Sequence, residues 1–207
     1  MLQRQVNASG SGILGLFAVY LFLFSGCATF KTVLTGTIPT PNNNHVQMPG
    51  YSFARPPDQG WRLERDDSRD YAILTKRIEP VVWQIRTYKN PVRSDVLVAA
   101  TAKEIADDFR KLQVVNMTEE GVNKGLYELR DVEMGEEIVG EKKFYTMEHV
   151  IFNQELVQKV STYLYFPQPA NNQFFFVALY FEKTPSNANA KSYRQDFLNV
   201  LANLTFK

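Results

Sequence analysis

Reactive side chains are scarce in this sequence, and the scarcity bounds what it can do. Its 207 residues include one cysteine, Cys27, and two histidines, His45 and His149. One cysteine makes no internal disulfide and no Cys-based zinc site, and two histidines are little material for a His-rich one. We expect neither a metal nor a cofactor. Acids crowd together twice, as Asp66, Asp67 and Asp70 and as Glu133, Glu136 and Glu137 around Gly135. The first group lacks the D-x-[DN]-x-[DN]-G spacing of a calcium loop and reads as a solvated hairpin turn; the second reads the same way. His149 follows Glu148 on a strand and shares a face with Tyr145, Met147 and Ile151. A general base needs an orienting partner, and none is visible, so His149 reads as a packed histidine and His45 as a solvated one. No G-x-S-x-G, H-E-x-x-H or Gly-rich phosphate loop occurs, and no enzyme is expected.

Cys27 is the exception, because of what precedes it. Residues 1–12 carry Arg4 and no acid, and an unbroken apolar run follows from Ile13 to Phe24. The run is too short for a bilayer-spanning helix, which needs about 20 residues, but suits the apolar region of a secretory signal. It ends in Phe24-Ser25-Gly26-Cys27, which resembles the lipobox of bacterial lipoproteins. Ser25, Gly26 and Cys27 match that motif position for position, while Phe24 replaces the usual Leu. The resemblance implies a signal peptide over 1–26, diacylglycerol on the Cys27 sulfur, cleavage before it and acylation of the new amino terminus. Two or three acyl chains hold a protein stably where one holds it marginally. Ala28, where an Asp would signal inner-membrane retention in enteric bacteria, favours the outer membrane.

The remainder is electrically bland. Loss of residues 1–26 removes Arg4 alone and leaves 22 basic against 22 acidic residues. Such a balance exerts no pull on nucleic acid or an acidic membrane surface, so the lipid must supply the membrane attachment. Residues 28–50 hold Pro39, Pro41 and Asn42-Asn43-Asn44 and almost no charge. With Cys27 they read as a tether over 27–50, of mean reach roughly 25 Å. Residues 51–207 then form a single domain, a size at which one core suffices.

Alternation marks strands at 61–65, 71–78, 81–88, 125–132, 143–152, 155–166 and 173–182. A helix is expected over 94–112, with Asp95 as its cap and Ala102, Ile105, Phe109 and Leu112 on one face. A second runs over 187–204 with a stripe of Tyr193, Phe197, Val200, Leu201 and Leu204. In 81–88, Val81, Trp83 and Ile85 oppose Gln84 and Arg86, a strand with one wet face. Strands 155–166 and 173–182 are apolar on both faces, as in the middle of a covered sheet. The expected class is therefore α+β: an antiparallel sheet covered by helices on both faces, an α-β-α sandwich. If no helix covered Tyr163, Tyr165, Phe174, Phe176 and Tyr180, they would instead form an exposed aromatic patch.

This order of elements resembles the PsbP-like superfamily over about residues 50–207. The opening PGYSFARPPDQGW, with a Pro-rich turn before Trp61, and the closing SYRQDFLNVLANLTF, a helix followed by a short strand, carry the likeness. The resemblance implies a domain that binds partners rather than one that catalyses. The expectation is a lipid-anchored envelope protein facing the periplasm, serving as a protein-binding or assembly module, its protein partner unidentified. The alternative is a carrier or sensor of a small apolar ligand in a sheet-helix pocket lined by Tyr163, Phe176 and Tyr180.

Overall fold

The chain's apolar alternation closes into a seven-stranded antiparallel sheet with a second, three-stranded sheet beside it. A computed structural model describes residues 44–92, 101–167, 174–188 and 190–207. The expected signal peptide with its lipobox-like end at Cys27, the Asn triplet's first two residues, the expected helix start over 94–100 and Asp95 lie outside the described residues.

The strands are β1 (His45–Gln47), β2 (Tyr51–Ala54), β3 (Arg62–Asp66), β4 (Tyr71–Ile78) and β5 (Val81–Pro91), then helix α1 (Ala102–Met117). After it come β6 (Glu128–Val139), β7 (Lys142–Phe152), β8 (Leu156–Tyr165), β9 (Phe174–Pro185), helix α2 (Arg194–Ala202) and β10 (Thr205–Phe206). The large sheet is ordered β3-β4-β5-β9-β8-β7-β6, and β1-β2-β10 make the small one. Two hairpin ribbons thus join where β9 returns to pair with β5, Ile85 opposite Tyr180 and Thr87 opposite Ala178.

The α-β-α sandwich expected from the sequence is not what forms. The described chain is mostly β, and its two α-helices do not cover the sheet on both faces. The reason is partly one of dimensions. Seven strands span about 29 Å at roughly 4.8 Å per strand. The nine residues of α2 rise only about 14 Å, and the sixteen of α1 about 24 Å. On the α2 side, the small sheet completes the cover. Tyr51 packs edge-on against Phe176 with ring centroids 5.0 Å apart, and Phe206 lies 5.4 Å from both Tyr165 and Phe176. Tyr51 also donates its buried hydroxyl to the Thr87 carbonyl at 3.0 Å. Val46 and Met48 are buried in this layer, so ordered structure starts before Tyr51, inside the stretch read as tether.

The other face meets α1 along part of its width. Phe109 packs edge-on against Phe175, centroids 5.2 Å apart. Arg110, buried, donates through Nη1 to the Gly135 carbonyl at 2.9 Å and the Thr146 carbonyl at 2.7 Å, latching α1 to the β6–β7 hairpin. Its other terminal nitrogen pairs with Asp107. The face expected to be wet at Gln84 and Arg86 is half-buried, and the Arg86 guanidinium lies 4.4 Å from the Phe181 ring centre.

Thr101 caps helix α1. Thr101 Oγ1 accepts from the Glu104 N–H while the Glu104 carboxylate accepts from the Thr101 N–H at 2.7 Å, a reciprocal capping box. Gly135, read from sequence as a turn, lies within β6; the reversal comes at Gly140, whose φ of 61° suits glycine. An irregularity between Arg130 and Glu133, with Asp131 at φ 51°, bends β6 near its start.

Candidate functional site

Five of the six acidic residues named from sequence are tied into the fold. Asp66 caps the short 3-10 turn Asp67–Arg69 by accepting from the Ser68 N–H at 3.1 Å. Arg65 pairs with Asp67 at 3.1 Å and Lys89 with Asp70 at 3.2 Å, and Asp70 also accepts from the Gly50 N–H. Glu136 pairs with Lys143 at 2.8 Å. Among the described residues no group of three or more His, Cys, Asp and Glu side chains is placed to hold a metal ion. Trp61 is buried and donates its indole N–H to Asp196 at 3.0 Å, which ties the Pro-Pro turn to α2.

His149 sits opposite Val160 on the α1 side of β7, 6% exposed, and its Nδ1 meets no hydrogen-bond partner. Burial holds its pKa down at about 4, so the ring is neutral at pH 7. Without a partner to receive or return a proton, it is a packed residue.

A polar network, unseen in the sequence, fastens α2 to the large sheet. The fully buried Tyr163 donates its hydroxyl to the Glu137 carboxylate and accepts from Arg194 Nη2 at 2.8 Å. Arg194, first residue of α2, also bonds Glu148 at 2.8 Å. Burial, then the hydrogen bond to Glu137, push the phenol's pKa up, so it stays a protonated donor. The four residues come from β6, β7, β8 and α2, and they act as a clamp. Sequence spacing cannot show it, because Glu137, Glu148 and Tyr163 meet only through strand register: Glu137 stands opposite Phe144 and Tyr163 opposite Thr146.

The surface best fitted to a partner is β6. It ends the seven-strand order, so its outer edge has no strand neighbour among the described residues. Twelve residues long, it is exposed along most of its length, and Val132, Met134 and Ile138 stand 38%, 43% and 74% exposed. An edge strand carries outward N–H and C=O groups ready to pair with another extended chain. Five acids and one arginine lie along it; Glu128, Glu136 and Glu137 pair with Arg130, Lys143 and Arg194, and Asp131 and Glu133 have no ion-pair partner among the described residues. Those two carboxylates suit a basic extended segment by charge.

No protein-family model matches the chain, and no curated protein matches it. Among solved structures, the cyanobacterial PsbP (CyanoP) of Synechocystis sp. PCC 6803 is similar at 16% identity and TM-score 0.47, with 83% of this chain and 98% of that one covered. A protein of Bacteroides thetaiotaomicron VPI-5482 is similar at 9% identity and TM-score 0.45, over 76% of this chain. This chain covers 45% of that protein and so spans less than half its length. Each is something the chain is similar to; neither lends it a residue, a ligand or a partner.

Proposed function

We propose that the chain is a non-catalytic, lipid-anchored protein of the bacterial envelope that faces the periplasm and binds a protein partner along β6. The observation that carries the binding role is the twelve-residue acidic edge strand with exposed Val132, Met134 and Ile138. The anchor rests on Ser25-Gly26-Cys27 after the apolar run, with Ala28 favouring the outer membrane. Asp66, Asp67 and Asp70 hold a turn and His149 packs in the core. The reading as an apolar-ligand carrier loses its pocket: Tyr163, Phe176 and Tyr180 are at most 4% exposed. Phe197 fills the space between two of them, with ring centroids 5.1 Å from Tyr163 and 5.7 Å from Tyr180.

Cys27→Ser tests the anchor. Labelled palmitate is expected to enter the wild-type protein and not the variant, and the variant should leave the membrane fraction. Labelling that survives the substitution would remove the anchor from the account.

A further inference from the structure

Strand β6 offers a partner more than exposed side chains, because its register decides which backbone groups are free. Val139 stands opposite Lys142 across the two-residue turn Gly140-Glu141, so these two close the β6–β7 hairpin by bonding each other in both directions. Hydrogen-bonded pairs then recur at every second residue, at Glu137 with Phe144 and at Gly135 with Thr146. The carbonyls of that last pair lie between the strands, close enough for Arg110 Nη1 to reach both, at 2.9 and 2.7 Å. Met134, Glu136 and Ile138 alternate with the bonded pairs, and their N–H and C=O groups point away from β7. No described strand lies on that side, and no described group bonds them. The register is unbroken from Glu133 to Val139, beyond the irregularity after Arg130. The opposite edge strand, β3, has only five residues.

We propose that the partner adds a strand to this edge: an extended protein segment bonded to the backbone of Met134, Glu136 and Ile138, with a basic residue directed at Glu133. The proposal rests on the reading of β6 as the binding surface and says how that surface binds. The two faces of the strand set the partner's pattern. Exposed Met134 and Ile138 lie on the α1 side with Glu136, which Lys143 already pairs, so that side suits apolar residues. Glu133 lies on the α2 side, opposite Glu148, with no cation paired to it among the described residues. A Cβ at Gly135 would meet only Thr146 Oγ1, at 3.3 Å, so the strand's surface is open beside Glu133. In strand addition the main-chain bonds supply affinity and the alternate side chains supply specificity. A second copy of β6 brings no free cation, since its Arg130 pairs with Glu128.

The test places a photo-crosslinking side chain at Ile138 of the full chain in its own membranes and adds single substitutions nearby. Glu136→Pro removes an outward N–H and spares every bond to β7, the arrangement in which an edge strand tolerates proline. Capture of the partner should fall by about tenfold or more. Glu136→Thr keeps the N–H and loses the carboxylate, and it should capture as well as the unsubstituted strand. Glu133→Lys should lower capture by about tenfold. If Glu136→Pro fails to fold, Met134→Pro, outward by the same register, takes its place. Full capture by the proline variant, or equal loss in Glu136→Thr, would overturn strand addition and leave partner binding along β6 standing. Full capture by Glu133→Lys would overturn the basic segment, and capture only of a second copy of this chain would overturn the proposed partner. No capture by the unsubstituted strand would overturn the proposal together with the reading it rests on.

Discussion

Phe197→Ala is expected to destabilise the protein by about 4 kcal/mol, read as a lowered urea midpoint with an unchanged slope. Phe197 is fully buried and is the central ring of α2, facing Tyr163 and Tyr180. Its loss removes both transfer free energy and two aromatic contacts, and it leaves a cavity that neighbours in a sheet cannot close. A helix of nine residues has no stability of its own, so α2 persists only through this packing and the Arg194 clamp. Hydrogen exchange in α2 should therefore accelerate before that of β8 and β9. A cost below about 1 kcal/mol would show that α2 does not seal this face.

His149→Phe is expected to remove a pH dependence. The folded-state pKa of His149 is about 4, below its ordinary value near 6.5. The unfolded chain therefore binds the proton first, and the native state keeps the full benefit of a neutral ring only above about pH 6.5. As pH falls from 7 to 5, the wild-type protein should lose about 2 kcal/mol through this residue, with further loss towards pH 4. The variant has no proton to take up there, and its stability should fall less over that interval by the same amount. Denaturant titrations at pH 7, 6 and 5 give the comparison. Parallel curves for the two proteins would mean that the ring is solvated or paired in the native state.

Strand periods are local and legible in the sequence, whereas the layers that cover the strands are set by tertiary geometry. Alternation placed β4 at its observed bounds and brought β7, β8 and β9 within a few residues, because one buried face leaves its period in the sequence. The stripe Tyr193, Phe197, Val200, Leu201 and Leu204 is buried as expected, although α2 itself starts only at Arg194. The preceding residues are held out of the helix as the Tyr193 N–H reaches the Tyr180 hydroxyl, a contact with no sequence signature. Two-sided apolar strands predict two helical layers. Burial specifies that something covers a strand and not what covers it, and here a small sheet carrying Tyr51, Phe53 and Phe206 supplies part of the cover. β1 was hidden for a similar reason: a three-residue strand between Asn44 and Met48 is too short to show a period.

The binding features were less legible still. The sequence pattern ends this strand at 132, because Gly135 and three nearby glutamates look like a turn, whereas β6 continues to Val139 with Arg110 holding the Gly135 carbonyl. Which strand lies at an edge depends on β9 crossing to β5, and pairing order is not written in any one strand.

The binding role of β6 is tested most directly by a photo-crosslinking side chain placed at Ile138 in the intact protein in its own membranes, with Arg62 on the opposite edge strand as the control. Exposed Ile138 should give a discrete crosslinked protein, and the yield should fall as added salt screens the acidic edge from a basic partner segment. Arg62 should give none. Crosslinking from Arg62 and none from Ile138, or capture at Ile138 that salt does not weaken, would contradict partner binding along β6.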